Sequence, residues 1–217
     1  MDDKTAYKAN YRCHEPGITP DQVADSYTDM AQNYDEILSP ERYRGPEIAA
    51  DEVAARISED KRRAVKVIDV AAGTGRVGLL LKDKGFSKID ALEPSKGMMA
   101  LLKQTGVYTN TYSEFLGVGQ NSVPKDTYDV LVIAGGMGEG HIPVKGIDDM
   151  IRITKSGGFV IIVMRKEYLD YVEEYKDKLI PYMDEMEKQG KWTKVELKTV
   201  HNYSFNKDGL VFTYKVV

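Results

Sequence analysis

From Val65 onward the chain alternates short apolar runs with amphipathic stretches, a pattern of strands and helices taken in turn. Val65–Val70 is β-branched and closes on Ala71-Ala72-Gly73-Thr74-Gly75, after which a leucine-rich helix (Leu79, Leu80, Leu81) runs to Gly85. Ile89–Glu93 reads as a second strand, Met98–Lys103 as a helix and Val107–Tyr112 as a third strand. Tyr128–Ala134 is the clearest strand, with the apolar character of one buried on both faces. Residues 147–155 read as a helix ending at Ser156-Gly157-Gly158, and Phe159–Met164 as the next buried strand. A helix is expected over Glu167–Glu187, with Tyr168, Val172, Tyr175, Leu179, Tyr182 and Met186 inward and a kink or split at Pro181. Val195–Phe205 and Leu210–Val217, joined by a turn at Lys207-Asp208-Gly209, read as a hairpin.

Repeated strand–helix units imply a parallel sheet covered on both faces. The fold class is therefore α/β, a doubly wound, mostly parallel, Rossmann-like sheet of seven strands with an antiparallel C-terminal hairpin. Ahead of the sheet, residues 1–18 read as a loose arm. Thr19-Pro20-Asp21 opens a helix with Val23, Tyr27, Met30 and Tyr34 on one face, Pro20 suiting a first helical position. A second helix follows Gly45-Pro46, with Ile48, Ala49, Val53 and Ile57 inward, and Lys61-Arg62-Arg63 reads as a solvated loop. Residues 1–60 thus form an arm and lid helices, and 61–217 the core of one domain.

Length and charge narrow the possibilities. A chain of 217 residues suits one such domain. Its 34 acidic against 30 basic side chains, net charge −4, argue against the broad basic face that nucleic-acid binding needs. The single cysteine, Cys13, excludes an internal disulfide and a cysteine-based metal site, and reads as a free thiol in the arm. No apolar run has the ~18 residues of a membrane span, and a cytoplasmic location is the default expectation.

The chemistry concentrates at the carboxyl ends of the strands, where ligands bind in such sheets. Asp69-x3-Gly73-Thr74-Gly75 joins the first sheet strand to its helix, with glycines that let backbone approach a ligand. Gly73-Thr-Gly75-Arg-Val-Gly78 also matches the dinucleotide fingerprint, and Glu93 follows at the tip of the second strand. Asp69 tips the reading towards S-adenosyl-L-methionine: a carboxylate there would face a positive amino and sulfonium end, whereas a loop wrapping a pyrophosphate usually follows an apolar strand. Glu93 can accept from both ribose hydroxyls.

With these residues in place, the chain resembles class I S-adenosylmethionine-dependent methyltransferases, and within them the Williams–Beuren syndrome region methyltransferase-like group. The resemblance runs from about Ile18 to Trp192. It is carried by Tyr27-x6-Tyr34-Asp35, Tyr43-Arg44-x-Pro46, the glycine loop, Glu93-Pro94-Ser95-x2-Met98, Tyr128-Asp129-x-Leu131-x-Ile133, Lys155-x-Gly157-Gly158 and Gly190-x-Trp192. It implies that Gly73, Thr74 and Gly75 contact the methionine part and Glu93 the ribose. Pro94, Ser95 and Met98 would line the adenine, with Ser113 and Glu114 at its amino edge. Ala134 would offer backbone near the methyl donor, and Tyr34 and Arg44 would close over it. Tyr27 reads equally as a helix-packing aromatic, and Tyr34 less so.

Ala134-Gly-Gly-Met-Gly-Glu-Gly-His141 lacks the Asn/Asp-Pro-Pro-Tyr pattern of DNA adenine and protein glutamine methyltransferases, and its glycines suggest a pliable loop at the pocket mouth. A small-molecule acceptor is expected. Glu139 and His141 are acid or base candidates, though a loop histidine is more often a surface residue. Arg165 could hold a carboxylate of the acceptor or simply pair with Glu167. No metal and no membrane partner is expected, and the residues carry no signal for an oligomeric state. Two other readings stand beside this one. One is a nicotinamide oxidoreductase on Gly73–Gly78. The other is a catalytically silent cofactor-binding module working through a partner, for which the Tyr/Met-rich stretch 168–186 is the one apolar face on offer.

Overall fold

The computed structural model describes every residue from Met1 to Val217. Four helices precede the sheet: α1 (Asp3–Tyr11), α2 (Pro20–Met30), α3 (Tyr34–Ile37) and α4 (Gly45–Arg56). Helix α1 replaces the expected loose arm. The Asp2 carboxylate accepts from Thr5 N at 2.8 Å and caps it, Ala6 and Cys13 are fully buried, and Tyr7 meets Phe205 edge-on at 5.3 Å. Cys13 is therefore a core thiol, pushed up to about 12 by burial. The arm has too few apolar positions to announce a helix, and distant partners order it.

Helix α2 begins where Thr19-Pro20 marks it, and Thr19 and Gln22 form a reciprocal capping box. It ends at Met30, so Tyr34 belongs to the separate turn of α3. In α4, Ala49, Ala50 and Val53 are buried, while Ile48 and Ile57 are half-buried. Arg62 is no solvated loop residue: it donates to the carbonyls of Ala54, Ile57 and Lys84, satisfying chain ends that would otherwise lack partners.

The remaining elements are β1 (Lys66–Val70), α5 (Arg76–Asp83), β2 (Lys88–Leu92), α6 (Lys96–Gln104), β3 (Thr111–Tyr112), β4 (Tyr128–Ala134) and α7 (Gly146–Ile153). Then come β5 (Thr154–Arg165), α8 (Tyr168–Tyr171), α9 (Leu179–Lys188), β6 (Trp192–Ser204) and β7 (Lys207–Val216). The seven strands take the order β3-β2-β1-β4-β5-β7-β6. The first five are parallel, and β7 runs antiparallel to both β5 and β6. The strand order reverses between β1 and β4, which opens a crevice at their carboxyl ends. Alternation along β4 feeds two cores: Val130 and Val132 pack with α4 and α5, Leu131 and Ile133 with α7, α8 and α9. No helix is long and apolar enough to cross a membrane.

Four boundaries differ from expectation. The hairpin turns at Phe205-Asn206, because Lys207, Asp208 and Gly209 already belong to β7 and Lys207 pairs with Ser204. Only Thr111 and Tyr112 of the third strand pair with β2. Helix α7 stops at Ile153 because Thr154 already pairs with Tyr128, across a register break in β4–β5. The helix expected over 167–187 breaks at 172–178, upstream of Pro181, which lies in the first turn of α9, where its missing N–H costs nothing. At that break Tyr175 is buried, its hydroxyl bonded to the carbonyls of Gly138 and Ile142. Met183 rather than Tyr182 turns inward.

The closing hairpin also reaches the N-terminal helices. Arg44 N donates to Tyr203 O at 2.9 Å and Phe205 N to Arg42 O at 2.7 Å, and Tyr43 bridges Ser204. Tyr43 and Tyr203 therefore stack edge to face at 5.5 Å over the end of β4.

Candidate functional site

A cavity opens at the carboxyl ends of β1, β2 and β4, roofed by α2. Tyr34, Gly73, Glu93, Pro94, Met98, Ala134 and His141 line it, all expected from the sequence. Glu93 is its one carboxylate. It is 5% exposed and accepts from Gly73 N and Ser95 N, each at 2.8 Å. Burial pushes its carboxyl up to about 7, against the pull of those two amides. Gly73, at φ +57°, leaves space over the loop, since a Cβ there would reach only the Tyr34 hydroxyl, at 4.0 Å.

Other expected residues lie behind this wall. Ser95 is fully buried and caps α6 by accepting from Met98 N, and its hydroxyl meets that of Thr28 of α2 at 2.9 Å. Thr74 lines a smaller recess with Tyr34, Gly73 and Ala134, and donates to Asp35 at 2.9 Å. Gly75 is the left-handed cap of α5. Ser113 is exposed, and Glu114 binds Ser122. The cavity takes Phe115, Leu116 and Val118 from that segment instead. This apolar trio just past the third strand is the local sequence signal for that wall. Arg44 is exposed and outside the cavity, because its backbone is tied to the hairpin.

Asp69 is 1% exposed, and burial pushes its carboxyl up to about 7. Its Oδ2 accepts from the Tyr108 hydroxyl at 2.6 Å, while Oδ1 has no partner. Tyr108, which nothing in the local pattern marks, also accepts from Gly78 N at 3.2 Å, and a Cβ on Gly78 would fall 2.3 Å from its oxygen. A dinucleotide would need the amides at this helix start for its pyrophosphate. Here one of them is bound to a tyrosine and the ring stands over the turn, which removes the basis of the nicotinamide reading.

The loop after β4 is seated rather than pliable: a Cβ on Gly140 would meet Ile18 O at 2.4 Å, and one on Gly135 the Tyr43 hydroxyl at 2.4 Å. His141 is not a surface residue. Its Nδ1 lies 2.7 Å from Glu139 O, which can only accept, so the proton is on Nδ1 and Nε2 accepts from the Tyr27 hydroxyl at 3.0 Å. Burial pushes His141 down to about 4. Its ring stacks on His14 at 4.5 Å. The Glu139 carboxylate turns outward to Gly17 N.

A second, smaller chamber lies towards the hairpin and holds Arg165. Tyr27, Tyr34 and Gly135 line both spaces. Arg165 pairs with Glu167 at 3.2 Å and donates to Ser204 at 3.1 Å. The 168–186 stretch is largely committed inward through Tyr168, Val172, Tyr175, Leu179, Met183 and Met186, so it offers no continuous apolar face to a partner.

Strand order, glycine loop and buried acid together define the class I S-adenosylmethionine-dependent methyltransferase fold. Within that class the chain belongs to the ubiE/COQ5 methyltransferase family, whose family model matches residues 17–191. Methyltransferase-like protein 27 of Homo sapiens is 29% identical over 166 residues, 76% of this chain and 66% of that protein. It is of the Williams–Beuren region group that the sequence resembles. The demethylmenaquinone methyltransferase of Renibacterium salmoninarum is 29% identical over 149 residues, 66% of this chain and 58% of that protein. The matches thus span about three fifths to two thirds of these relatives. Among solved structures, the [4+2]-cyclase SpnF superposes with a TM-score of 0.66 at 12% identity, over 93% of this chain and 98% of that one. A chain of the complex between a Haloferax volcanii methyltransferase and its Trm112 activator gives 0.65 at 13%, over 88% and 97%. These two likenesses bear on the fold alone.

Proposed function

We propose that the protein transfers a methyl group from S-adenosyl-L-methionine to a small-molecule acceptor in the cytoplasm, leaving S-adenosyl-L-homocysteine. The observation that carries this reading is Glu93, a buried carboxylate at the tip of β2 that lines the cavity as its one acid and accepts from Gly73 N at 2.8 Å. When bound, the donor supplies a methyl carbon activated by its sulfonium; an acceptor lone pair takes it as the carbon–sulfur bond breaks and the electron pair returns to sulfur.

The chain's own residues bind, orient and exclude water. Glu93 accepts from the ribose hydroxyls, each such charged hydrogen bond contributing about 1.5–3 kcal/mol. Pro94, Met98, Phe115 and Leu116 enclose the adenine, and Ser95 holds Glu93 in place. Gly73, Thr74, Gly75 and Ala134 offer backbone to the methionine part, with Tyr34 above them. Asp69 sets the loop through Tyr108. Good alignment alone supplies about 7–11 kcal/mol of rate enhancement. A small acceptor is supported by the small chamber beside the cavity, lined by twelve residues, and by the demethylmenaquinone methyltransferases among the relatives.

Calorimetry with S-adenosyl-L-homocysteine and with NADH, then radiolabelled methyl transfer into a metabolite extract, tests the reading. Binding of the first ligand alone and a labelled small product are expected. A protein that binds neither ligand, or that labels bulk RNA, overturns it.

A further inference from the structure

The second chamber has a charge that its walls do not cancel. Arg165 is its one ionised lining residue: Asn10, Ser204 and the tyrosines are neutral, and burial holds His14 well below the ordinary histidine value. The counter-ion outside is shared. Glu167 Oε1 takes Arg165 at 3.2 Å, and Glu167 Oε2 takes Lys207 at 3.2 Å, so two cations face one carboxylate. A net positive charge therefore remains at a guanidinium only 4% exposed, where water screens it poorly.

The guanidinium is also fixed in place with donors to spare. Hydrogen bonds to Glu167 and Ser204 use two of its N–H groups out of the five that arginine carries. Tyr7 and Tyr168 lie over it at 5.8 and 5.5 Å. Tyr27, Tyr34, Tyr43 and Tyr203 line the same chamber, and the first two also line the cofactor cavity. A molecule that fills this space has its negative end on Arg165, its body against aromatic walls, and its far end at the Tyr27–Tyr34 boundary.

We infer that the chamber is the acceptor site and that it selects a small aromatic or unsaturated carboxylate, whose anionic group is seated on Arg165 and whose methylated atom points to the gap between Tyr27 and Tyr34. The inference rests on the methyltransferase reading above. It makes Arg165 and its shared partner Glu167 the determinants of acceptor charge.

The test uses the whole protein saturated with S-adenosyl-L-homocysteine, titrated calorimetrically with benzoate, benzamide and benzylamine. Benzoate should bind at least about tenfold more tightly than benzamide, from one charge-assisted contact, and benzylamine should not bind. Glu167→Gln, which frees Arg165 without touching the chamber wall, should tighten benzoate several-fold. Arg165→Met should erase the preference for benzoate while affinity for S-adenosyl-L-homocysteine stays within about twofold. Equal binding of benzoate and benzamide by the wild type overturns the proposal, as does a Glu167→Gln protein that binds benzoate less well. A large loss of S-adenosyl-L-homocysteine affinity in Arg165→Met also overturns it, by giving the chamber to the methionine carboxylate of the cofactor. Failure of the wild type to bind S-adenosyl-L-homocysteine at all strikes instead at the methyltransferase reading.

Discussion

The cofactor cavity and the chamber beside it share Tyr27, Tyr34 and Gly135, and otherwise differ in how they are made. The cavity draws Gly73 and its one carboxylate, Glu93, from short continuous segments, the turn after β1 and the turn after β2. The chamber gathers side chains from α1, α2, α3, α8, the end of β5 and the end of β6. The cavity presents a carboxylate and the chamber a guanidinium. One is a recess in a rigid sheet, so its geometry follows from strand order. The other exists only because the N-terminal helices and the closing hairpin grip each other through Arg42–Arg44 and Tyr203–Phe205. On the proposed reading, the first is a common cofactor site, and the second a part that can be rebuilt for a new acceptor while the sheet stays as it is.

Substitutions that separate the two spaces sharpen this contrast. The largest effect is expected from Gly73→Val, which sets a β-branched side chain at φ +57° and directs it into the cavity. Calorimetric binding of S-adenosyl-L-homocysteine should vanish, and retained binding would move the ligand elsewhere. Glu93→Ala should weaken the same binding at least about tenfold by removing a charged acceptor. Because Glu93 is pushed up to about 7, wild-type affinity should also rise as pH passes through 7, where the carboxylate forms, and level off about one unit higher. A flat profile would deny Glu93 the ribose.

Gly135→Ala acts on the chamber side. Its Cβ would strike the Tyr43 hydroxyl, so thermal unfolding should show a loss of about 1–3 kcal/mol, with acceptor turnover falling more than cofactor affinity. Equal losses in both would mean that the two spaces are one.

The histidine pair tests the boundary between them. His141 is pushed down to about 4 in the native state from 6.5, so between these values the unfolded chain binds the extra proton. Stability from this group is then complete above pH 6.5 and is lost as pH falls towards 4. In parallel pH titrations of stability, His141→Gln should lose less over that window than the wild type; identical slopes would mean that His141 is not buried neutral. The smallest change expected is in dynamics. Amide exchange over residues 18–45 should slow on adding S-adenosyl-L-homocysteine if these helices act as a lid over Gly73, and unchanged exchange would leave them as fixed walls.

Much of this was legible in the residues. Apolar alternation from Val65 to Met164 specifies parallel strands with helices between them, since a strand buried on both faces and a helix buried on one leave different periods in the chain. The glycine loop and Glu93 are read for the same reason: backbone geometry at the end of a strand depends on a few neighbouring residues. Contacts between distant segments leave no such trace. Nothing near Tyr108 shows that its hydroxyl will close Asp69 to Gly78, and nothing near Asn10 or His14 shows that a polar arm becomes the helix walling a chamber. Arg44 fits the motif of an N-terminal cover, yet its backbone pairs with the hairpin and leaves its side chain in solvent. Local propensity and periodicity determined the sheet and its cofactor recess. Only the packing of helices and hairpin over the sheet decided which side chains stand opposite Arg165, because that depends on contacts some forty to two hundred residues apart.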